Sequence, residues 1–275
     1  MNKLLLAALY RLKRDKVFWL CFLAMFAYAV LAMLGNCYQA LQDTTSFQYT
    51  LDMFYFVYAF PIGLLIAVAV SLFLGTEYSD GTIRNKLIVG HTRRDIYLAN
   101  LITNFVCGLL LLLAGLLGGL CGIPFLGVWK MGKMVWLFLL ISILCTAAYA
   151  AIFTLIGMLC SNKAVSAVLS ILLFLGLLVL AFNLYYSLAE PEVVNGLIIT
   201  KEGMQMGEPE PNPRYLTGFK REVYQFAMDF LPTGQCIQME EQTVVHPIRM
   251  MLSSLCITFM TTLGGIAVFK KKDLK

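Results

Sequence analysis

Charge is scarce in this sequence. Of its 275 residues only 13% are Asp, Glu, Lys or Arg, where a soluble domain carries about a quarter. Histidine is scarcer still. His91 and His246 are the whole complement, so no histidine cluster is available to hold a metal. No Asp, Glu, Lys, Arg or His falls in the central turns of the long apolar runs. That argues against a proton-coupled carrier, which needs such groups as relays, although sodium sites built from backbone and hydroxyl oxygens stay open. A phosphate loop, Gly-x-x-x-x-Gly-Lys-Ser/Thr, is missing. Its nearest approach, "GHT" at Gly90–Thr92, lacks the lysine and the first glycine. The pair Glu240–Glu241 resembles half of an intramembrane protease signature, but the nearest arginine, Arg249, is not four residues on. No ATPase, no catalytic residue, no bound cofactor and no metal are therefore expected of this chain.

What fills the sequence instead is apolar. Hydrophobic residues make up 60%, and the mean hydropathy is +0.78. A membrane-crossing helix needs about 20 mostly apolar residues. Six windows qualify: Val17–Gly35, Phe54–Gly75, Ala99–Ile123, Met134–Cys160, Ala164–Leu188 and Ile248–Phe269. The expectation is an all-α membrane protein with six transmembrane helices forming one domain over residues 1–275.

Lysine and arginine then set the orientation. They cluster before span one (Lys3, Arg11, Lys13, Arg14, Lys16), after span two (Arg84, Lys86, Arg93, Arg94), after span four (Lys163) and at the end (Lys270, Lys271, Lys272, Lys275). The stretch Asn36–Met53 has none. Positive charge stays inside, so both termini are expected in the cytoplasm. Lys130 and Lys133 dissent on one short outer loop, but six spans make the two ends agree. The net charge of +5 reads as contact with anionic lipid headgroups, with no nucleic acid as partner. Most cysteines lie inside spans as small hydrophobes. Cys37 and Cys236 are the pair that an outer disulfide could join, and sequence does not fix connectivity.

Residues 1–16 carry Leu5, Ala8, Leu9 and Leu12 at helical spacing beside basic residues, as an interfacial helix does. Leu34–Cys37 faintly resembles a lipoprotein cleavage site, but Asn36 stands where a small residue is needed. Pro61 is expected to kink span two. Ala147 with Ala151, and Ser166 with Ser170, allow close helix packing. Residues 189–247 form an extracellular segment. Its first part, through "GEPEPNP", reads as irregular. Next, "LTGFKREVYQFAMDFL" places Phe219, Val223, Phe226 and Phe230 on one helical face, expected to lie against the outer span ends. Pro232 stops that helix and "TGQCIQM" begins another short element.

Between spans two and three lies "EYSDGTIRNKLIVGHTRRDIYLAN". Ser79 or Asp80 is placed to cap a short helix over about Gly81–Val89. Gly90 supplies its stop, and Thr92 to Asp95 forms a capping box for span three. Residues 76–95 thus make a capped knob between two helix ends. Ile83 and Leu87 on its apolar face either dip into lipid or meet a cytoplasmic partner.

This stretch resembles the corresponding region in permease subunits of the type-2 ABC exporter family. There a Glu, a Gly-Thr pair and a following Ser/Thr-Arg surround the coupling helix that docks on the ATPase subunit. Here those positions are Glu77, Gly81, Thr82, Thr92 and Arg93. The resemblance implies a docking surface of Glu77, Asp80, Gly81, Thr82, Ile83, Arg84, Lys86, Leu87 and Arg93. The interfacial first segment, the six spans, the outer helices between spans five and six, and the ending "AVFKKKDLK" fit the same layout. "LPTGQ" at Leu231–Gln235 resembles the outer segment of Gram-positive members associated with peptide-antibiotic export or immunity. Family likeness implies two ATPase subunits, which bind the ATP and Mg, and a second permease, identical or homologous. It also implies a plasma-membrane location and export of an amphiphile such as an antimicrobial peptide, a lipid or a drug. Two other readings stay open: a peptide-sensing or immunity protein that does not transport, and an ion-coupled secondary carrier.

Overall fold

The computed structural model describes residues 1–43, 49–126, 133–200 and 203–273. Lys130 and Lys275 lie outside them. Among the described residues, six helices are long and apolar enough to cross a membrane. The first segment is α1 (Asn2–Arg14), which buries Leu4, Ala8 and Leu12 against the third long helix. Leu4 takes the place expected for Leu5 and Leu9, which are only half-buried. The chain breaks at Asp15, whose carboxylate accepts from the amides of Val17 at 2.7 Å and Phe18 at 3.3 Å. That N-cap starts α2 (Lys16–Gln42), the first long helix.

A short turn, α3 (Leu51–Phe54), precedes α4 (Ala59–Ser79). Because α4 begins at Ala59, Pro61 sits in its first turn, where its missing amide leaves no hydrogen bond broken. The expected kink therefore has no cause. The knob helix α5 (Thr82–Ile88) and α6 (Arg93–Gly119) follow. A single 3₁₀ turn (Leu120–Gly122) and α7 (Ile123–Leu126) close that arm. Then come α8 (Lys133–Leu159) and α9 (Lys163–Ala189). Asn162 caps α9 through the amides of Ala164 and Val165.

The helices α4, α6 and α8 form the inside of the bundle, flanked by α2 on α6, α9 on α4 and the last helix, α12 (Pro247–Lys271), on α8. Ile66, Val70, Leu74, Leu111, Ile141 and Phe153 lie in one continuous core. The outer faces of α9 and α12 stay apolar and open, through residues such as Leu172, Val179, Leu252 and Phe259. Such faces suit lipid, which is as apolar as leucine. Ser166 and Ser170 are fully buried, as close packing requires.

Residues 193–211 correct the expectation of an irregular connection. They form an antiparallel hairpin of β1 (Val193–Thr200) and β2 (Gly203–Pro211). The run "VVNGLIIT" is rich in β-branched residues, which favour strands. Pro209 and Pro211 are tolerated because each strand of a two-stranded sheet is an edge. Asn212 ties the base of the hairpin, donating to Glu190 Oε2 at 3.0 Å and to the Pro191 carbonyl at 2.9 Å. Two helices follow, α10 (Gly218–Phe230) and α11 (Pro232–Glu240).

Candidate functional site

Basic residues of α1, of the α4–α6 connection and of the end of α12 lie at one end of the bundle, and one carboxylate there holds two of them. Glu77, in the last turn of α4, is fully buried. Its Oε1 accepts from Arg11 Nη1 and Lys86 Nζ, both at 2.7 Å. Its Oε2 accepts from the Asn100 amide at 2.9 Å. An isolated carboxylate in this position would be costly to desolvate. Two cations and a neutral donor offset that, and they tie α1, α4, α5 and α6 to one point. One anion for two cations leaves this cluster net positive.

The knob is built on glycines rather than side-chain caps. Gly81 precedes α5 with φ of 65°, and no side chain caps the helix. Ser79 and Asp80 therefore do not cap it. Asp80 instead accepts from the Ser79 hydroxyl. Thr82 Oγ1 donates to the Glu77 carbonyl at 3.0 Å, which closes the turn. Gly90, at φ of 97°, ends the helix as expected. Both φ values lie in the left-handed region where a Cβ is strained. At the start of α6, Thr92 Oγ1 accepts from the Asp95 amide at 3.1 Å and donates to its carboxylate at 2.8 Å.

The structure corrects which side of α5 faces out. Ile83 is buried and Leu87 half-buried, both packed on the core of the chain itself. The exposed surface is Arg84 and Asn85, with Ile88 at 74% and Val89 at 76% exposure at the tip. Beside that tip, a cavity of about 340 Å³ runs between α1 and α5, lined by Lys3, Leu4, Ala7, Lys86, Val89 and His91. Arg93 does not join the knob surface. It donates to the Phe269 carbonyl at 3.0 Å and to the Lys272 carbonyl, which satisfies the free end of α12. Lys272 in turn donates to Tyr78 Oη and to the Met158 carbonyl, each at 3.0 Å. Its loss of solvent lowers its pKa below the usual lysine value.

The opposite end holds a second polar centre. Asp229, on α10, is fully buried. It accepts from Gln225 at 2.9 Å, Gln238 at 3.1 Å and Arg249 at 3.3 Å, and lies 3.2 Å from His246 Nδ1. The segment "LPTGQ" is not an outer surface element. It starts α11, whose residues Pro232–Met239 are buried between α4, α8, α9 and α10. Thr233 donates to the Leu177 carbonyl at 3.0 Å. Gln235 donates to the carbonyls of Asp229 at 2.9 Å and Met250 at 3.0 Å, and accepts from Ser254 at 2.7 Å. Gly234 faces the Met228 carbonyl, which an added Cβ would meet at 2.3 Å. Thr233, Gly234 and Gln235 of this short motif thus each have a contact that the residue type explains.

Two further corrections follow from that wedge. Phe219, Val223, Phe226 and Phe230 do not lie on the span ends. They are exposed at 80%, 45%, 53% and 37%, while Met228 and Asp229 are the buried residues of α10. Cys236 lies 3.7 Å from Cys145 on α8. Cys236 and Cys37 are both free thiols, so that disulfide is not formed. Sequence reasoning missed Asn100 as a partner of Glu77, and it missed Asp229 altogether. Asn100 and Asn104, two asparagines in one span, were the available signal for the first. Gln225 and Asp229, four residues apart on a helix, were the signal for the second.

A family model described as ABC-2 family transporter protein matches residues 4–180, from α1 into α9. No curated protein matches the chain.

Proposed function

The chain belongs to the ABC-2 transporter family, and from that premise we propose that it is the permease subunit of an exporter of amphiphilic molecules, with α5 as its coupling helix. Membership makes it a membrane permease of an ABC transporter that works with an ATPase subunit. The proposal adds that the end bearing Glu77 is cytoplasmic. Two ATPase subunits bind ATP and Mg there, and a second permease, identical or homologous, completes the path through a Gram-positive plasma membrane. One observation carries this: α5 protrudes with an exposed apolar tip while its inner side is fixed by the Glu77 cluster. A helix anchored so firmly can pass force from a docked partner into α4 and α6. Because Ile83 points inward, docking falls to Arg84, Asn85, Ile88 and Val89. The recess between α1 and α5 supplies an adjoining apolar surface.

Substituting Ile88→Asp together with Val89→Asp tests this. The variant permease is expected to insert and fold normally, because both side chains are open. It should fail to retain the ATPase on affinity purification and lose export. Undiminished ATPase recovery with the double variant overturns the coupling assignment.

The open face of α10 favours a second reading, in which the outer segment senses a peptide without transport. In that case Val223→Asp alters the response to peptide but leaves the yield of folded protein unchanged. Transport of a labelled amphiphile into sealed vesicles, dependent on ATP, decides for the exporter.

A further inference from the structure

At the end of the bundle opposite Glu77, α10 lies across the ends of two membrane-crossing helices. Arg221, in its first turn, donates to the Leu188 carbonyl in the last turn of α9 at 3.2 Å. Asp229, in its last turn, holds Arg249 and His246 at the start of α12. Both anchors lie on the side of α10 that faces the bundle. The opposite side carries Phe219, Val223, Phe226 and Phe230, all exposed, along about 16 Å of helix. Phe226 and Phe230 stack with their centroids 6.1 Å apart. A contiguous apolar ridge of this kind marks a surface that something covers.

Continuity identifies the cover. The Arg249 guanidinium lies over the Phe226 ring, 5.9 Å from its centroid, and Ile248 and Leu252 on either side of Arg249 are exposed. The phenylalanine ridge therefore runs into the apolar outer face of α12, which suits lipid. Arg249 itself reaches back to Asp229, so its charge is drawn off that surface, as long basic side chains do at a membrane boundary. Shape agrees. The two cavities beside α10 are lined by other residues of that helix, among them Arg221, Gln225 and Tyr224, and by none of the four apolar ones. A bound peptide needs a groove or a pocket, whereas fluid acyl chains accept a convex ridge. Bulky apolar residues on one side of a helix, with Lys220, Arg221, Glu222 and Asp229 off it, are also the pattern of a helix lying in a membrane interface. We propose that α10 is an interfacial helix, with Phe219, Val223, Phe226 and Phe230 inserted among the acyl chains of the leaflet at that end. Through Arg221 and Asp229 it fastens the ends of α9 and α12 to the membrane surface. The proposal needs only that the long helices cross a membrane, so its failure would leave the ATPase-docking reading untouched.

The test uses the full chain in membranes opened so that a reagent reaches both faces. Val223→Cys and Phe226→Cys place single thiols on the ridge, and Lys220→Cys and Glu222→Cys place them on its flanks. All four side chains are exposed in the protein itself, so a difference in reactivity comes from what surrounds them. After the parent's own thiols are subtracted, a charged, membrane-impermeant maleimide should modify the flank positions about tenfold faster, since a thiol in apolar surroundings ionises less. Equal rates at ridge and flank overturn the proposal and leave the ridge to water or to a peptide. A second measurement keeps an aromatic ring in place: p-benzoyl-phenylalanine is incorporated at Phe226 and irradiated in the same membranes. Mass spectrometry should find an adduct of phospholipid mass on the α10 peptide. A cross-link to a second copy of the chain in place of that adduct, or no lipid adduct at all, overturns the lipid assignment.

Discussion

Glu77 on α4 and Lys86 on α5 are nine residues apart in sequence, and their charged atoms meet at 2.7 Å inside the protein. With Arg11 on the same oxygen, the contact makes α5 a rigid extension of the second membrane-crossing helix. Replacing Glu77 by Gln keeps the shape and removes the anion, leaving two cations on a neutral amide. Breaking a buried pair in this way costs about 3–5 kcal/mol. The variant should unfold several degrees lower in detergent and retain less ATPase on purification. An unchanged unfolding temperature with full ATPase retention would show that the cluster neither stabilises the end nor positions α5.

The six long helices, the Gly90 stop of α5 and the Thr92 cap of α6 were legible because each depends on local sequence. Apolar run length locates a span, and Gly90 or Thr92 marks a helix end whatever surrounds it. The direction of side chains was not. Over seven residues α5 offers two apolar edges, Ile83 with Leu87 and Ile88 with Val89, and periodicity alone does not choose between them. For α10 the usual rule assumes water outside and an apolar interior. Here the buried side carries Asp229 because four polar groups satisfy it, and the phenylalanines are left facing outward. Glu77 and Asn100 meet across 23 residues, a relation that no local pattern contains.

The wedge α11 can be checked by chemistry. Cys145 and Cys236 sulfurs lie 3.7 Å apart, so small side-chain rotations bring them to the roughly 2 Å of a disulfide. Treatment of membranes with copper-phenanthroline and oxygen should remove one hydrogen from each thiol and join them. Mass spectrometry of non-reduced peptides reads the product, and Cys145→Ser should eliminate it. A Cys37–Cys236 peptide in its place would contradict the buried position of α11.

Glu240 ends that wedge beside a cavity of about 300 Å³ lined by Asn36, Phe54 and Val57. Burial, with the neighbouring Glu241 charge second, pushes its carboxyl up from 4.5 to about 7. The folded protein therefore holds a proton there that the unfolded chain has released. Between those two values the native state binds more protons, so stability falls as pH rises. The parent should lose thermal stability from pH 5 to pH 8 in excess of any general trend. Glu240→Gln, neutral throughout, should unfold at the parent's temperature at pH 5 and above it at pH 8. Parallel curves for the two proteins would show that Glu240 titrates normally.

Two adjacent glycines on α12 provide the sharpest test of helix packing. A Cβ on Gly264 would meet nothing within 4 Å, whereas one on Gly265 would lie 2.0 Å from Tyr97 Oη and 2.5 Å from its Cζ. Tyr97 is itself fully buried on α6, so its ring has little room to retreat. Alanine favours a helix over glycine by about 1 kcal/mol, and at Gly264 that gain meets no opposition. At Gly265 the overlap dominates, since forcing extra volume into a packed site costs about 1–3 kcal/mol. Gly264→Ala should leave unfolding temperature equal or higher, and Gly265→Ala should lower it. Because the ring carbon is also in the way, Tyr97→Phe should not rescue Gly265→Ala. Alone, it should stabilise slightly by removing a buried hydroxyl that has no partner, a group that costs about 1–3 kcal/mol when left unsatisfied. Equal unfolding temperatures for the two alanine variants would mean that α12 does not approach α6 through Gly265.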